Sequence, residues 1–213
     1  MKSSQILPLL LSTLLTLPQI TPTSAAPCAI TINSTQILAI APKSASCAGA
    51  PEAADGECAT ADQAAPAVSK AFNKYGITSK AEQAAVLGLI AFESGEFVYS
   101  RNHFPGVPGQ GTRNMQSPAF NKEYAASLPA LADRFESVQD NPAAVLDLLL
   151  EDLAVDFGSG AWFLKTQCSD SVREALQTGS EEGWEGYIVD CVGTEANEER
   201  KGYWADAVEA LGN

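Results

Sequence analysis

The sequence predicts an α+β domain that is mainly α, with one small irregular β region. From residue 61 onward, apolar side chains recur at intervals of three and four residues, which is the spacing of one face of a helix. Residues 97–116 interrupt this pattern with several prolines and glycines and cannot be helical. We therefore expect helices on both sides of a long loop or irregular β-hairpin.

The first two helices are predicted from their end signals. Residues 63–75 form the first, and Gly76 is expected to end it because glycine readily takes the left-handed conformation after a helix. Ser79 and Glu82 have the spacing of a capping box, which predicts a second helix from residue 80 to about residue 94.

Later helices are marked by the serine–proline and asparagine–proline pairs that typically begin a helix. Ser117-Pro118 begins one, Leu128-Pro129 interrupts it, and Asn141-Pro142 begins the most apolar one, which we expect to be the buried central helix. The remaining helices are predicted over residues 130–138, 171–177, 182–189 and 196–211, with the apolar helix over residues 143–155.

The N-terminal residues resemble a targeting segment. Lys2 is followed by a leucine-rich apolar run and then by small residues, so we expect residues 1–25 to be a signal peptide cleaved near Ala25 or Ala26. The protein is then secreted and extracellular. Residues 26–60 are predicted to be an arm or pro-segment carrying a glycosylation sequon at Asn33, and residues 61–213 to be the catalytic domain.

Five cysteines are expected to form disulfides in an exported protein. Cys168 and Cys191 both lie in the C-terminal part of the domain and are favoured as partners, and Cys47 with Cys58 closes a short loop. Cys28 is then left over, and the sequence leaves open whether it is free, exchanged into the other pair or removed.

The net charge of −13 argues against binding to nucleic acids or anionic membranes. We expect a monomer that needs no cofactor. A zinc site is not indicated because His103 is the single histidine, and that histidine is also the only imidazole base available to a serine nucleophile. The glycines of residues 106–111 do not follow a strand-to-helix crossover, so they do not predict a phosphate-binding loop.

Glu93 is the main candidate for chemistry. It shares a helix face with Val86 and Ile90 and is followed at once by Ser94-Gly95, where the helix is expected to break. A carboxyl group held against apolar surface can stay protonated near neutral pH and donate its proton, as glycosidic bond cleavage requires. The alternative is an ordinary solvated glutamate at a helix end.

Glu93-Ser94-Gly95 with Phe97, followed by Asn114-Met115-Gln116, resembles the lysozyme-like superfamily, in particular goose-type lysozymes, lytic transglycosylases and a group of secreted fungal muramidases. The resemblance covers about residue 61 to the C-terminus. The separation of the two motifs is longer than usual, and Arg113-Asn114 replaces the usual Gly-Leu. The resemblance implies that Glu93 is the general acid and that Gln116 contacts the sugar.

The other candidate substrate contacts are side chains of the loop and of a later Trp-Phe segment. Met115 is assigned to the cleft floor, although core packing is its simpler interpretation. Side chains expected to contact the substrate are Tyr99, Asn102, His103, Met115, Gln116 and Trp162.

A second catalytic group is not evident, because Glu96 is the only other acid between Gly95 and Asn121. Asp156 or Asp152 could enter the cleft from a later helix. The N-acetyl group of the substrate could assist instead, or its 6-hydroxyl could attack.

The function predicted on this basis is a glycoside hydrolase, a muramidase that cleaves bacterial peptidoglycan between N-acetylmuramic acid and N-acetylglucosamine. Two alternatives remain: a chitinase or chitosanase on the same fold, and a non-catalytic secreted protein that binds glycans or a host.

Overall fold

A computed structural model describes residues 29–212. The fold is mainly α, as the sequence predicted. The expected β region after Glu93 consists only of isolated antiparallel bridges, between Arg101 and Gly111 and between Gly111 and Gln116, and residues 29–212 contain no β-strand. The helices are α1 (Ser34–Ile40), α2 (Ala61–Tyr75), α3 (Lys80–Glu93), α4 (Pro118–Ala126), α5 (Ala132–Val138), α6 (Pro142–Leu150), α7 (Leu153–Asp156), α8 (Gly158–Gln167), α9 (Asp170–Gln177), α10 (Glu181–Gly186) and α11 (Glu198–Leu211). Short 3-10 turns lie at Pro42–Ala45, Glu52–Ala54 and Pro129–Leu131, and a π-helical segment at Tyr187–Val192.

The helix ends follow the signals in the sequence. The side chains of Ser79, Ser117 and Asn141 each accept a hydrogen bond from a backbone N–H in the first turn of the helix that follows. Gly76 ends α2 with a φ of 65°. The capping box at α3 is incomplete, because the carboxylate of Glu82 pairs with Arg173 instead of accepting from the backbone N–H of Ser79.

The buried central helix is α3, and the prediction that the apolar helix after Asn141 holds this position is wrong. Every residue of α3 from Ala81 to Ala91 is buried, whereas α6 buries one face and ends at Leu150. The reason is the composition of α3: small residues on several faces let neighbouring helices approach it from more than one side.

The C-terminal helix α11 packs closely against α3. A Cβ atom placed on Gly88 would stand 2.9 Å from the backbone of Trp204, so the glycine is required for the contact between the two helices. The ring of Trp204 stacks on that of Trp184 with centroids 5.1 Å apart, which ties α10 to the same side of the core.

Part of the segment predicted to be an arm or pro-segment packs into this core. Ile37 and Ile40 of α1 are fully buried, and α1 lies against α2 and α11. Removal of the segment in a mature form stays a prediction. The predicted signal peptide, its cleavage site and Cys28 lie outside the described residues.

Within residues 29–212, two disulfides close loops of the chain. They join Cys47 to Cys58 and Cys168 to Cys191, which are the pairs favoured from the sequence. None of the helices within residues 29–212 is both long enough and apolar enough to cross a membrane.

Candidate functional site

Glu93 is the last residue of α3, and its side chain is 21% exposed. Arg200 of α11 donates two hydrogen bonds to Oε1 of this carboxylate, from Nε at 3.1 Å and from Nη2 at 2.8 Å. The guanidinium also lies 4.5 Å from the centroid of the Phe92 ring. The carboxyl group is therefore held in an ion pair at the edge of a cleft, and not against apolar surface as the sequence suggested.

The chain turns sharply directly after Glu93. The side chain of Ser94 donates to the carbonyl of Ile90 and accepts from the backbone N–H of Phe97. Gly95, Glu96 and Phe97 then have φ angles of 60°, 65° and 68°. A residue other than glycine costs roughly 1–2 kcal/mol in this left-handed conformation, so the surrounding contacts must hold the turn.

Glu96 supplies much of the support for this turn. Its buried carboxylate accepts from the backbone N–H of Lys43 at 2.7 Å and from the hydroxyl of Tyr203 at 2.9 Å, and the Lys43 ammonium lies 3.1 Å away. Burial alone would raise the pKa of Glu96, but these three donors outweigh it and hold the pKa below its ordinary value. The turn is thus held by Lys43, which precedes it by about 50 residues, and by Tyr203 of the C-terminal helix α11.

Thr112 and Met115 also adopt positive φ angles, 62° and 47°. Within residues 29–212, all four non-glycine residues with positive φ lie in the segment 96–115, which surrounds the cleft at Glu93. Backbone strain of this kind tends to collect at functional sites, where it holds side chains in a required position.

Glu93 lies between two hollows that share Met115 as part of their walls. One has a volume of about 140 Å³ and the other about 240 Å³. The smaller is lined by Glu93, Tyr99, Arg101, Asn102, His103, Phe104 and Met115, and the larger by Glu93, Gln110, Asn114, Met115, Gln116, Ser117, Phe120, Phe163, Val192, Thr194 and Arg200. Both combine aromatic rings with amide and charged groups.

Side-chain amides form a chain of hydrogen bonds along the wall of the larger hollow. Asn121 donates to the carbonyl of Gly109 at 2.8 Å and accepts from Gln116 at 2.9 Å, and Gln116 in turn accepts from Asn114 at 3.3 Å. This chain of hydrogen bonds ends at Asn114, whose Oδ1 is buried and has no hydrogen-bond partner among the described residues. Since each amide fixes the orientation of the next, the wall presents its polar atoms in one arrangement.

Glu57 holds the loop that lines the smaller hollow. This buried carboxylate accepts from the backbone N–H groups of Ser100 and Arg101 at 2.8 and 3.0 Å, and Oε1 lies 2.8 Å from Nε2 of His103. Tyr99 packs beside His103 with ring centroids 5.4 Å apart. The adjacent Phe104 is 83% exposed, so it offers an open aromatic surface at the rim.

Most of the substrate contacts proposed from the sequence do line this cleft. Tyr99, Asn102, His103, Met115 and Gln116 are all in its walls together with Glu93.

Trp162 lies outside the cleft walls. It is 3% exposed and packs on Tyr124 with ring centroids 5.0 Å apart. The structure assigns it to the core, because a large apolar side chain at the centre of α8 faces the neighbouring helices.

The two aspartates considered as a second carboxylate also lie outside the walls of both hollows. Asp156 is buried and paired with Arg113, with 2.7 Å between Nε and Oδ2. Burial raises the pKa of Asp156, and the charge of Arg113 opposes this rise. Asp152 caps α7 by accepting from the backbone N–H of Ala154 at 2.7 Å. Each carboxylate is engaged in holding the fold.

Three charged residues that hold this region were not anticipated as site residues. Arg200 and Glu57 are distant in sequence from the motifs around Glu93, and Arg113 was noted only as a departure from a family pattern. For the two arginines the sequence did contain a signal. An arginine is well suited to a buried ion pair, so each arginine in a strongly acidic chain is a candidate for such a pair. No set of three or more His, Cys, Asp or Glu side chains within residues 29–212 is grouped so that it could hold a metal ion.

The fold and the cleft define a class: a small, mainly helical domain with two disulfides and a polar, aromatic-lined cleft. No family model and no solved structure matches the chain. A curated protein from Fusarium oxysporum (strain Fo5176), named bifunctional dioxygenase (DOX)-epoxy alcohol synthase (EAS), is 50% identical to it over 156 residues. The match covers 70% of this chain and 12% of the relative, so the chain spans about an eighth of that protein's length.

This comparison corrects the function predicted from the sequence. The relative bears the name of an oxidative enzyme, so the resemblance to lysozymes, the assignment as a glycoside hydrolase or muramidase and the associated antimicrobial, cell-wall-degrading role are wrong. The chitinase and glycan-binding alternatives were based on the same resemblance and lose their support with it. The physical reason is that Glu93-Ser94-Gly95 encodes a helix end: Ser94 bonds back to α3 and Gly95 takes a positive φ. So short a pattern describes local geometry and not a reaction.

Proposed function

We propose that this chain is a ligand-binding accessory domain that works with an oxidative enzyme, and that its cleft at Glu93 binds an oxygenated organic molecule. The observation that carries the proposal is the concentration of left-handed residues and oriented polar side chains around one cleft. The oxidative context rests on the name of the Fusarium relative.

The extent of the match supports an accessory role. Buried residues from Ile32 to Leu211 form one apolar cluster, so the domain has a core of its own. A unit with its own core that matches 12% of a much longer protein has the size of one domain of that protein.

The chemistry of the cleft suits a ligand with hydroxyl and ether-type oxygens. Glu93 accepts hydrogen bonds, so it can accept from a hydroxyl group, and Arg200 can donate to an epoxide or hydroxyl oxygen. The rings of Phe120 and Phe163, which line the same hollow, can cover the apolar part of such a molecule. The relative's name includes synthesis of an epoxy alcohol, a product with both kinds of oxygen.

Calorimetric titration with 3-phenylglycidol tests the binding proposal, because this probe has a hydroxyl next to an epoxide. Cinnamyl alcohol is the matched compound without the epoxide. We expect phenylglycidol to bind more tightly, and Glu93→Gln to weaken its binding by about tenfold, since a hydrogen bond to a charged group contributes roughly 1.5–3 kcal/mol.

Glu136→Gln is the control, because Glu136 is exposed on α5 and lies outside both hollows. Wild-type affinity in Glu93→Gln would show that the cleft is not the site. Equal affinity for the two compounds would contradict recognition of an epoxide.

A second candidate is that the chain itself carries out an oxidative step, which the 50% identity to an enzyme of that name favours. An oxygen electrode distinguishes the two candidates when the purified chain is mixed with an unsaturated probe. Oxygen uptake that depends on the chain would replace the accessory proposal.

We also propose that the chain is exported. The support is the pair of disulfides, since such bonds persist mainly in oxidising compartments. N-terminal sequencing of the protein recovered from culture medium tests this, and recovery from the cytoplasm alone would contradict it.

A further inference from the structure

Another cavity is bordered by Lys70, Ala71 and Lys74 of α2 and has no residue in common with the hollows at Glu93. It has a volume of about 370 Å³, within the range of small-molecule sites. Its walls come from α2, the 3-10 turn Pro129–Leu131, α5, α6 and α7. The elements that form it are therefore separate from the loop that shapes the Glu93 cleft.

The floor of this cavity is apolar. Ala71, Leu128 and Leu148 are buried there, and Leu131 and Val155 are partly exposed along its sides. A ligand that covers the exposed parts of Leu131 and Val155 would remove apolar surface from water, which stabilises binding by roughly 25 cal/mol per Å² of apolar area.

The rim carries five charged residues, and three of them are engaged. Arg134 is bonded to Glu151 at 2.6 Å through Nη1 and by a second contact through Nη2. Asp152 accepts from the backbone N–H of Ala154 at the start of α7. Because Arg134 and Glu151 neutralise each other and a backbone N–H does not neutralise Asp152, the rim keeps the two positive charges of Lys70 and Lys74 against the one negative charge of Asp152.

Lys70 and Lys74 are four residues apart on α2, so they stand on the same face of the helix. Neither has a carboxylate within 4 Å among the described residues, although the chain carries twice as many acidic as basic residues, 26 against 13. The Lys74 ammonium instead lies 5.0 Å from the centroid of the Tyr75 ring. Two unpaired cations beside an apolar floor are complementary to a molecule with an apolar body and an anionic end.

We propose that this cavity binds an amphiphilic anion, with its apolar body on the floor formed by α6 and the 3-10 turn and its anionic group at Lys70 and Lys74. This site is independent of the cleft at Glu93 and of the function proposed for it. The ligand is a free amphiphile and not a membrane surface, because the net charge of −13 opposes approach to an anionic bilayer.

The test is a calorimetric titration of the full chain with decanoate, held below its critical micelle concentration. Decanol has the same chain without the charge, and decyltrimethylammonium has the opposite charge. We expect decanoate to bind at one site, decanol more weakly, and decyltrimethylammonium not to bind there. Increasing the salt concentration should weaken decanoate binding and leave decanol unchanged.

The double variant Lys70→Gln/Lys74→Gln should weaken decanoate binding by about fivefold to tenfold, as expected for two exposed charges, and should not change decanol binding. Lys122→Gln/Lys165→Gln is the matched control, since it removes two exposed lysines elsewhere and changes the net charge equally. The proposal is overturned if decanol binds as tightly as decanoate, or if both double variants behave alike. Co-sedimentation with vesicles of phosphatidylcholine and phosphatidylglycerol would instead indicate a membrane surface as the ligand.

Discussion

Replacing Arg113 by methionine should lower the free energy of unfolding more than the same replacement of any other arginine within residues 29–212. Arg113 is 2% exposed and donates through Nε to Asp156 at 2.7 Å. Its Nη1 donates to the carbonyls of Phe97 at 2.7 Å and Tyr99 at 3.2 Å, and its Nη2 bonds to the carbonyl of Glu57. Methionine fills a similar volume but leaves all four acceptors without this donor.

The expected loss is about 3–5 kcal/mol of unfolding free energy, because removing one partner of a buried ion pair leaves an uncompensated charge. For a chain of this size, that corresponds to a decrease in Tm of about 10 °C. Urea unfolding followed by near-UV circular dichroism measures the free energy directly.

Arg134→Met is the matched control, since it makes the same chemical change in an exposed pair with Glu151 and should leave stability unchanged. The variant Asp156→Asn in the Arg113→Met background should recover part of the loss by removing the buried charge. If the free energy of unfolding of Arg113→Met lies within about 1 kcal/mol of the wild-type value, this reasoning is refuted, because so small a loss is ordinary for a replacement that breaks no buried ion pair.

Three further outcomes follow from single contacts. Gly88→Ala should destabilise the chain by about 1–3 kcal/mol, measured by urea unfolding, because its Cβ would overlap the backbone of Trp204. Burial and the hydrogen bond to Glu96 raise the pKa of Tyr203 to about 12, so its phenolate absorbance should appear only near that pH in a spectrophotometric titration, and earlier in Glu96→Gln. The pKa of Glu96 is lowered in the folded state, so its stabilising contribution is present above the unfolded value of about 4.5 and is lost as the pH falls through the lowered pKa. Unfolding free energies measured between pH 6 and pH 2 should therefore fall less steeply for Glu96→Gln than for wild type.

The helix pattern was predictable because each helix end is encoded locally. Ser79, Ser117 and Asn141 cap the helices they were expected to begin. The central position of α3 was not predictable in this way, because it depends on Gly88 and on how closely α11 can approach. Apolar content alone favoured α6, but burial is decided by which helices pack on all sides of an element.

The cleft was predictable in part for the same reason. Side chains that are close in sequence, such as Tyr99 and His103, line it as expected. The ion pair of Glu93 with Arg200 joins residues 107 positions apart, and no local pattern indicates such a contact. The sequence therefore predicted that Glu93 ends a helix, but it did not predict the ion pair with Arg200 that surrounds the carboxylate.

The stability of the fold and the shape of the cleft are coupled through the carbonyl groups that Arg113 holds. Phe97 ends the left-handed turn after Glu93, and Tyr99 begins the wall of the smaller hollow, so both acceptors are at the base of the cleft. Glu57 extends this support, since its backbone carbonyl accepts from Arg113 while its carboxylate contacts His103. Glu57→Gln keeps the size of the side chain but removes its charge, so His103 should become more mobile. We expect Glu57→Gln to reduce the binding free energy of 3-phenylglycidol by more than it reduces the free energy of unfolding. Arg113→Met should reduce both free energies.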